Sequence, residues 1–173
     1  TLSQERRLNL LSVTQKYGIP ILEDDCYADN RYDGEAVTSI HNLDEGNNVM
    51  YVGSFSKVIG PGMSLGYMTG PSQVLDKVMG VRSARISEFA AMAVEKYGRK
   101  YLDSHIESIN KIQRTKRDAM ISALGENFGT GAKWSSPDGG LYIWMELNEA
   151  ADVVSLHEKA LNDIDVGFHP GVN

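Results

Sequence analysis

What the chain is short of narrows its chemistry before any motif is considered. Among its 173 residues there is one cysteine, Cys26, so an intrachain disulfide and a four-cysteine zinc site are both excluded. That thiol stands beside two acids, where like charge disfavours a thiolate. No apolar run is long enough to span a bilayer, and no signal-peptide pattern is present. Basic clusters are missing as well: 17 Lys and Arg against 23 Asp and Glu leave a net charge of −6, which argues against a nucleic-acid partner. The four histidines, His41, His105, His157 and His169, lie far apart without metal-ligand spacing and read as structural or surface residues. Internal repeats and low-complexity tracts are absent.

What remains is an ordinary globular composition, 42% hydrophobic and 23% charged, in a chain long enough to bury a core. A soluble cytoplasmic protein is the default expectation, with no membrane contact. Arg6, Arg7, Lys116 and Arg117 sit in polar, helical surroundings and read as solvated faces. The chain opens at a helix start and stops in the short stretch Phe168–Asn173 with no closing helix, the pattern of a piece cut from something longer.

Hydrophobic spacing and turn residues predict the order of elements. Ser3 is an N-cap with Glu5 in the first turn; Leu8, Leu10, Leu11 and Val13 form the apolar stripe, and Gly18 with Pro20 ends the helix. Ile19–Leu22 reads as a buried strand running into the acids Glu23, Asp24 and Asp25. After a turn-rich stretch, Val49–Val52 is a second strand, leading into Gly53, Ser54, Phe55, Ser56 and Lys57. A Gly60–Gly62 loop precedes a third apolar segment at Leu65–Met68. Beyond it the chain turns helical, with Val74, Val78, Val81, Phe89 and Ala93 near helical spacing, and Ser104 with Glu107 predicted as a capping box opening another helix. Gly129–Gly131 breaks that helix. A strand at Leu141–Leu147, a helix at Val153–Leu161 and a last strand at Ile164–Phe168 are expected to follow. Helix, strand, connection and strand imply an α/β layer.

In open α/β sheets, ligand sites collect at the carboxyl ends of strands. That rule places Asp24 and Lys57 on one sheet edge. Taken singly, each candidate residue is unremarkable in type. Asp24-x-x-Tyr27 after one strand and Ser54-x-Ser56-Lys57 after the next, with Pro61 and Gly62 close behind, form a combination that is rare by composition. A magnesium cluster of Glu23, Asp24 and Asp25 is an alternative, but it leaves the Lys57 pattern without a role.

In Ile21–Tyr27, Gly53–Gly62, Pro137–Leu147 and Val166–Gly171 the sequence resembles the class I/II aminotransferases of pyridoxal-phosphate (PLP) fold type I. The similarity lies nearest the branch of aminoadipate and kynurenine aminotransferases and the aminotransferase-like domains of MocR-type regulators. It covers essentially the whole chain, in family order.

The resemblance implies a partial α/β fold. Residues 1–100 would be the C-terminal part of the large PLP-binding domain with the connecting long helix. Residues 101–173 would be an incomplete small domain. It implies PLP as cofactor, an amino acid and a 2-oxo acid as substrates, and a homodimer. Lys57 would hold the cofactor as a Schiff base and carry the proton at the substrate α-carbon. Asp24, rather than Asp25, would face the pyridine nitrogen and keep it protonated. Tyr27 would hydrogen-bond the phenolic oxygen, and Ser54 and Ser56 the phosphate. Seven residues after the lysine the family usually has an arginine on the phosphate; here stands Ser64, which lacks the charged bidentate fork and predicts weaker retention. A lyase or decarboxylase would use the same lysine and aspartate, and a MocR-type sensor lobe would carry a DNA-binding winged helix upstream.

Overall fold

The computed structural model of the chain describes residues 2–45, 48–82, 85–148 and 150–171. Helix α1 (Gln4–Tyr17) begins where the Ser3 hydroxyl accepts the Arg6 N–H. It ends at Gly18, whose φ of 63° is the left-handed turn that favours glycine. Of the expected stripe only Leu11 is buried, and the rest of the buried face is Arg7 and Thr14. Leu8, Leu10 and Val13 are 49%, 39% and 53% exposed, because the spacing that meets the core of Leu11, Ile40 and Val49 leaves them off that line.

Arg7 is therefore not a solvated charge. Its Nη1 lies 3.0 Å from Glu23 Oε1 and 3.2 Å from the Thr38 carbonyl, and both ion-pair partners are buried. Glu23 also accepts the Ile40 and His41 N–H groups, each at 2.9 Å, at the start of the short helix α2 (Ile40–Leu43). Burial without such partners would cost several kcal/mol, so the pairing is what makes the placement tolerable.

Strands β1 (Ile21–Asp24) and β2 (Val49–Ser54) pair in parallel from Ile21↔Val49 to Asp24↔Val52. Ile19 does not join the strand; its N–H closes the end of α1 on the Thr14 carbonyl. β3 (Gly66–Thr69) adds antiparallel to β2, giving the order β1-β2-β3. Tyr67 lies across Gly53, where a Cβ would come within 2.3 Å of its ring, so any side chain there would have to displace that ring.

Helix α3 (Ser72–Val81) is followed by α4 (Glu88–Phe128), one uninterrupted helix through Ser104. The predicted capping box is not formed. Ser104 lies deep inside the helix and its hydroxyl donates to the Tyr101 carbonyl at 3.1 Å, because a Ser-x-x-Glu pattern caps only where the backbone leaves helical geometry. Gly129 ends α4 with a φ of 51°. Beyond it, β4 (Ala132–Trp134) pairs antiparallel with β5 (Met145–Leu147), so the strand expected from Leu141 starts at Met145. Helix α5 (Val153–Ile164) ends at Asp165, in the left-handed region with φ 55°. The last strand expected at Ile164–Phe168 is not formed, since no described segment pairs with it.

By internal contact the chain forms two compact units. One runs to Lys116 and includes Asp138–Leu141; the other comprises Arg117–Pro137 and the chain from Tyr142 onward. Among the described residues no helix is long and apolar enough to cross a membrane.

The buried pair makes a test of the fold. Replacing Arg7→Met strands the Glu23 carboxylate, and urea unfolding is expected to show a loss of about 3 kcal/mol. A loss below ~0.5 kcal/mol, the range of surface changes, would instead describe a solvated arginine.

Candidate functional site

Parallel pairing of β1 with β2 sets Asp24 beside Val52, two residues short of the end of β2. The chain then turns through Phe55–Ile59, where the N–H groups of Val58, Ile59 and Gly60 all converge on the Phe55 carbonyl. Lys57 leaves this turn at the same sheet edge as Asp24. Both side chains are exposed, as is that of Tyr27, so a ligand can reach them. Lys57 Nζ lies 5.6 Å from the centroid of the Tyr27 ring, a cation–π contact worth about 0.5–1 kcal/mol at an exposed site.

Strand alternation separates the three acids. Glu23 points into the pair with Arg7. Asp25 continues the ladder through its N–H on the Val52 carbonyl, and its carboxylate accepts the Tyr51 hydroxyl at 3.4 Å. Asp24 faces elsewhere: its Oδ1 accepts the Cys26 N–H at 3.3 Å and the Cys26 thiol at 2.7 Å. Bonding to Asp24 raises the thiol pKa above its ordinary value, with burial and the Asp24 charge adding to it. Among the described residues no three such groups gather as a metal site.

Burial raises the Asp25 carboxyl above its ordinary 3.8, and the Glu23 charge adds to this, while Arg7 and the Tyr51 hydroxyl oppose it. Tyr51 is pushed well up in turn, first by burial and then by the Asp25 charge.

Ser54 Oγ accepts the Ser56 N–H at 3.2 Å, so the two serines share one turn ahead of Lys57. Ser64 stands apart. It follows the 3₁₀ turn Pro61–Met63 in the left-handed region, φ 47°, with its hydroxyl 3.4 Å from the Pro61 carbonyl.

Several residues the sequence passed over surround the same turn. Asn30 is fully buried and its Nδ2 donates to the Lys57 carbonyl at 3.2 Å. It extends the three-residue spacing of Asp24 and Tyr27, a signal available in the sequence. His105, on α4, places Nε2 2.9 Å from the Val58 carbonyl, and nothing local to position 105 announces it. Asn110 donates to the carbonyls of Asp29 and Arg31 at 2.8 and 3.0 Å, bracing the loop after Tyr27. The Asp138-Gly139-Gly140 turn packs on that loop: Gly140 N–H donates to the Asn30 carbonyl at 2.7 Å, and a Cβ on Gly139 would fall 2.5 Å from the same oxygen.

An amine, a carboxylate, a phenol and a serine-rich turn on one accessible edge match a ligand carrying an aldehyde, a basic ring nitrogen, a phenolic oxygen and a phosphate. The donor set fits PLP in its chemistry.

The family profile for aminotransferase class I and II matches residues 1–166, and the chain belongs to that family. An aromatic-amino-acid aminotransferase of Thermococcus litoralis is 35% identical over 175 residues, which cover 99% of this chain and 42% of the relative. The HTH-type transcriptional regulator YisV of Bacillus subtilis is 29% identical, over 86% of this chain and 31% of its own length. Among solved structures, kynurenine aminotransferase of Pyrococcus horikoshii superposes with a TM-score of 0.85 at 34% identity, covering 94% of this chain and 41% of that one. The α/β arrangement is accordingly part of PLP fold type I, and the chain spans less than half the length of these relatives.

The raised Asp25 carboxyl predicts a pH signature. A folded-state pKa above the unfolded value favours folding fully below about pH 3.8, and that advantage is lost as pH rises through the folded value. Asp25→Asn should therefore raise the melting temperature at pH 7 and leave it unchanged at pH 3. Equal shifts at both pH values would contradict the assignment.

Proposed function

We propose that these residues form the cofactor-binding part of a PLP-dependent aminotransferase, which moves an amino group between an amino acid and a 2-oxo acid. The observation that carries this is the shared edge of two adjacent parallel strands, with Asp24 closing one and Lys57 following the other beside the Tyr27 ring. Family membership and the likeness to the kynurenine enzyme support it.

When bound, the cofactor supplies an electron sink for the pair left at the substrate α-carbon. The remaining work falls to this chain. Lys57 would hold the cofactor aldehyde through its amine, with loss of water, and once released would carry the proton at the substrate α-carbon. The Asp24 carboxylate would keep a proton on the ring nitrogen. The Tyr27 hydroxyl would donate to the phenolic oxygen, and Ser54, Ser56 and Ser64 would provide hydroxyls for the phosphate. Residues 1–100 are assigned to the large domain and 101–173 to the small one, with a boundary inside α4. A homodimer in the cytoplasm completes the reading.

The likeness to YisV favours a second reading, a sensor domain that holds PLP by the same residues within a transcription regulator. Substrate-dependent formation of oxo acid distinguishes the enzyme. Sequence-specific DNA binding without turnover distinguishes the regulator.

Both share one test. Incubating the full-length protein with PLP, reducing with borohydride and mapping the adduct by mass spectrometry should mark Lys57; a folded sample without that adduct sinks both readings. A second outcome concerns the missing arginine. Ser64→Arg is expected to tighten PLP binding about ten-fold, the worth of a charge-assisted hydrogen bond. Unchanged affinity would mean that another group already neutralises the phosphate.

A further inference from the structure

The direction in which a lysine leaves a tight turn is set by the peptide groups around it, and two side chains from distant parts of the chain hold those peptides here. Asn30 Nδ2 donates to the carbonyl of Lys57 at 3.2 Å, and His105 Nε2 lies 2.9 Å from the carbonyl of Val58. These are successive carbonyls, gripped from the loop after β1 and from α4.

A carbonyl oxygen only accepts, so Nε2 of His105 carries the hydrogen and Nδ1 is left with a lone pair. That lone pair faces the Tyr97 hydroxyl at 3.1 Å, and the Tyr97 ring stands edge-on to the imidazole with centroids 5.6 Å apart. Tyr101 packs on Tyr97 in turn, with ring centroids 5.4 Å apart. The tautomer is thereby fixed from behind by residues of the same helix. The Asn30 main chain is held on both sides. It is completely buried, its backbone N–H donates to the Tyr27 carbonyl at 3.0 Å, and its own carbonyl accepts the Gly140 N–H. Neither side chain touches the groups assigned to the cofactor. Each touches the main chain that presents the lysine.

We propose that Asn30 and His105 are positioning residues for Lys57: by holding the carbonyls of residues 57 and 58 they aim the amine along the edge shared with Asp24 and Tyr27. The inference rests on the reading of Lys57 as the cofactor lysine, but its test does not need the cofactor. In the full-length, cofactor-free protein, trace acetylation read by mass spectrometry measures the reactivity of the Lys57 amine against Lys77 and Lys111 as internal standards. His105→Phe keeps the aromatic edge against Tyr97 and removes the donor, while His105→Gln restores an N–H donor. Asn30→Leu keeps roughly the volume and removes the other donor without adding a charge.

Loss of either hydrogen bond should change Lys57 labelling about five-fold relative to both standards, and the Gln variant should return it towards the parent value. A folded His105→Phe protein whose Lys57 labels as in the parent would overturn the proposal. So would a change shared by all three lysines, or a variant that fails to fold, since either would assign His105 to general stability. Failure of PLP to mark Lys57 in the parent protein is a separate result. It would remove the proposed function and leave the labelling comparison readable.

Discussion

Much of the first unit hangs on the buried carboxylate of Glu23. It neutralises Arg7 from α1, receives the two N–H groups that open α2 and sits within β1, so one side chain ties three elements together. The apolar core beside it is small, built on Leu11, Ile40 and Val49, and does not by itself dictate how these elements meet. Directional bonds to a charge do that instead. Because residues alternate along a strand, burying Glu23 on one face sends the next side chain to the other. The acid proposed to serve the ring nitrogen owes its outward aim to its neighbour's inward one.

Much of this was legible before any coordinates. The N-cap at Ser3 and the stop at Gly18 depend on residues within one turn of each other, and both are found as expected. The two apolar runs and the polar residues that end them sufficed to place Asp24 and Lys57 together, because strand-end position is a local property once parallel pairing is assumed. Pairings across long separations were not legible. Arg7 looks like any helix-surface base until Glu23 is brought against it, and His105 is a helical histidine until it meets the carbonyl of Val58.

Other differences have local causes. Ser104 and Glu107 carry the letters of a cap within a helix that never stops there, since a side-chain pattern acts only on a backbone already leaving the helix. The apolar run at Ile164–Phe168 has the composition of a strand without a partner for its N–H and C=O groups, and the first of those residues ends α5 instead. Apolar spacing shows which face favours burial and does not say what covers it. Val81 and Phe89, 82% and 84% exposed, follow the helical spacing read from the sequence without being covered within this chain.

The alternation along β1 also bears on how this segment can vary in length. Glu23 and Asp24 are chemically near-identical and differ in task only by parity. Removing one residue between Gly18 and Glu23 would hand Asp24 to Arg7 and bring Asp25 out to the rim, leaving the composition of the edge intact and every carboxylate in the wrong place. Removing two would keep the parity but set Asp25 and Cys26 in the places of Glu23 and Asp24. The length of this short approach to the sheet therefore decides which acid is buried and which reaches the edge.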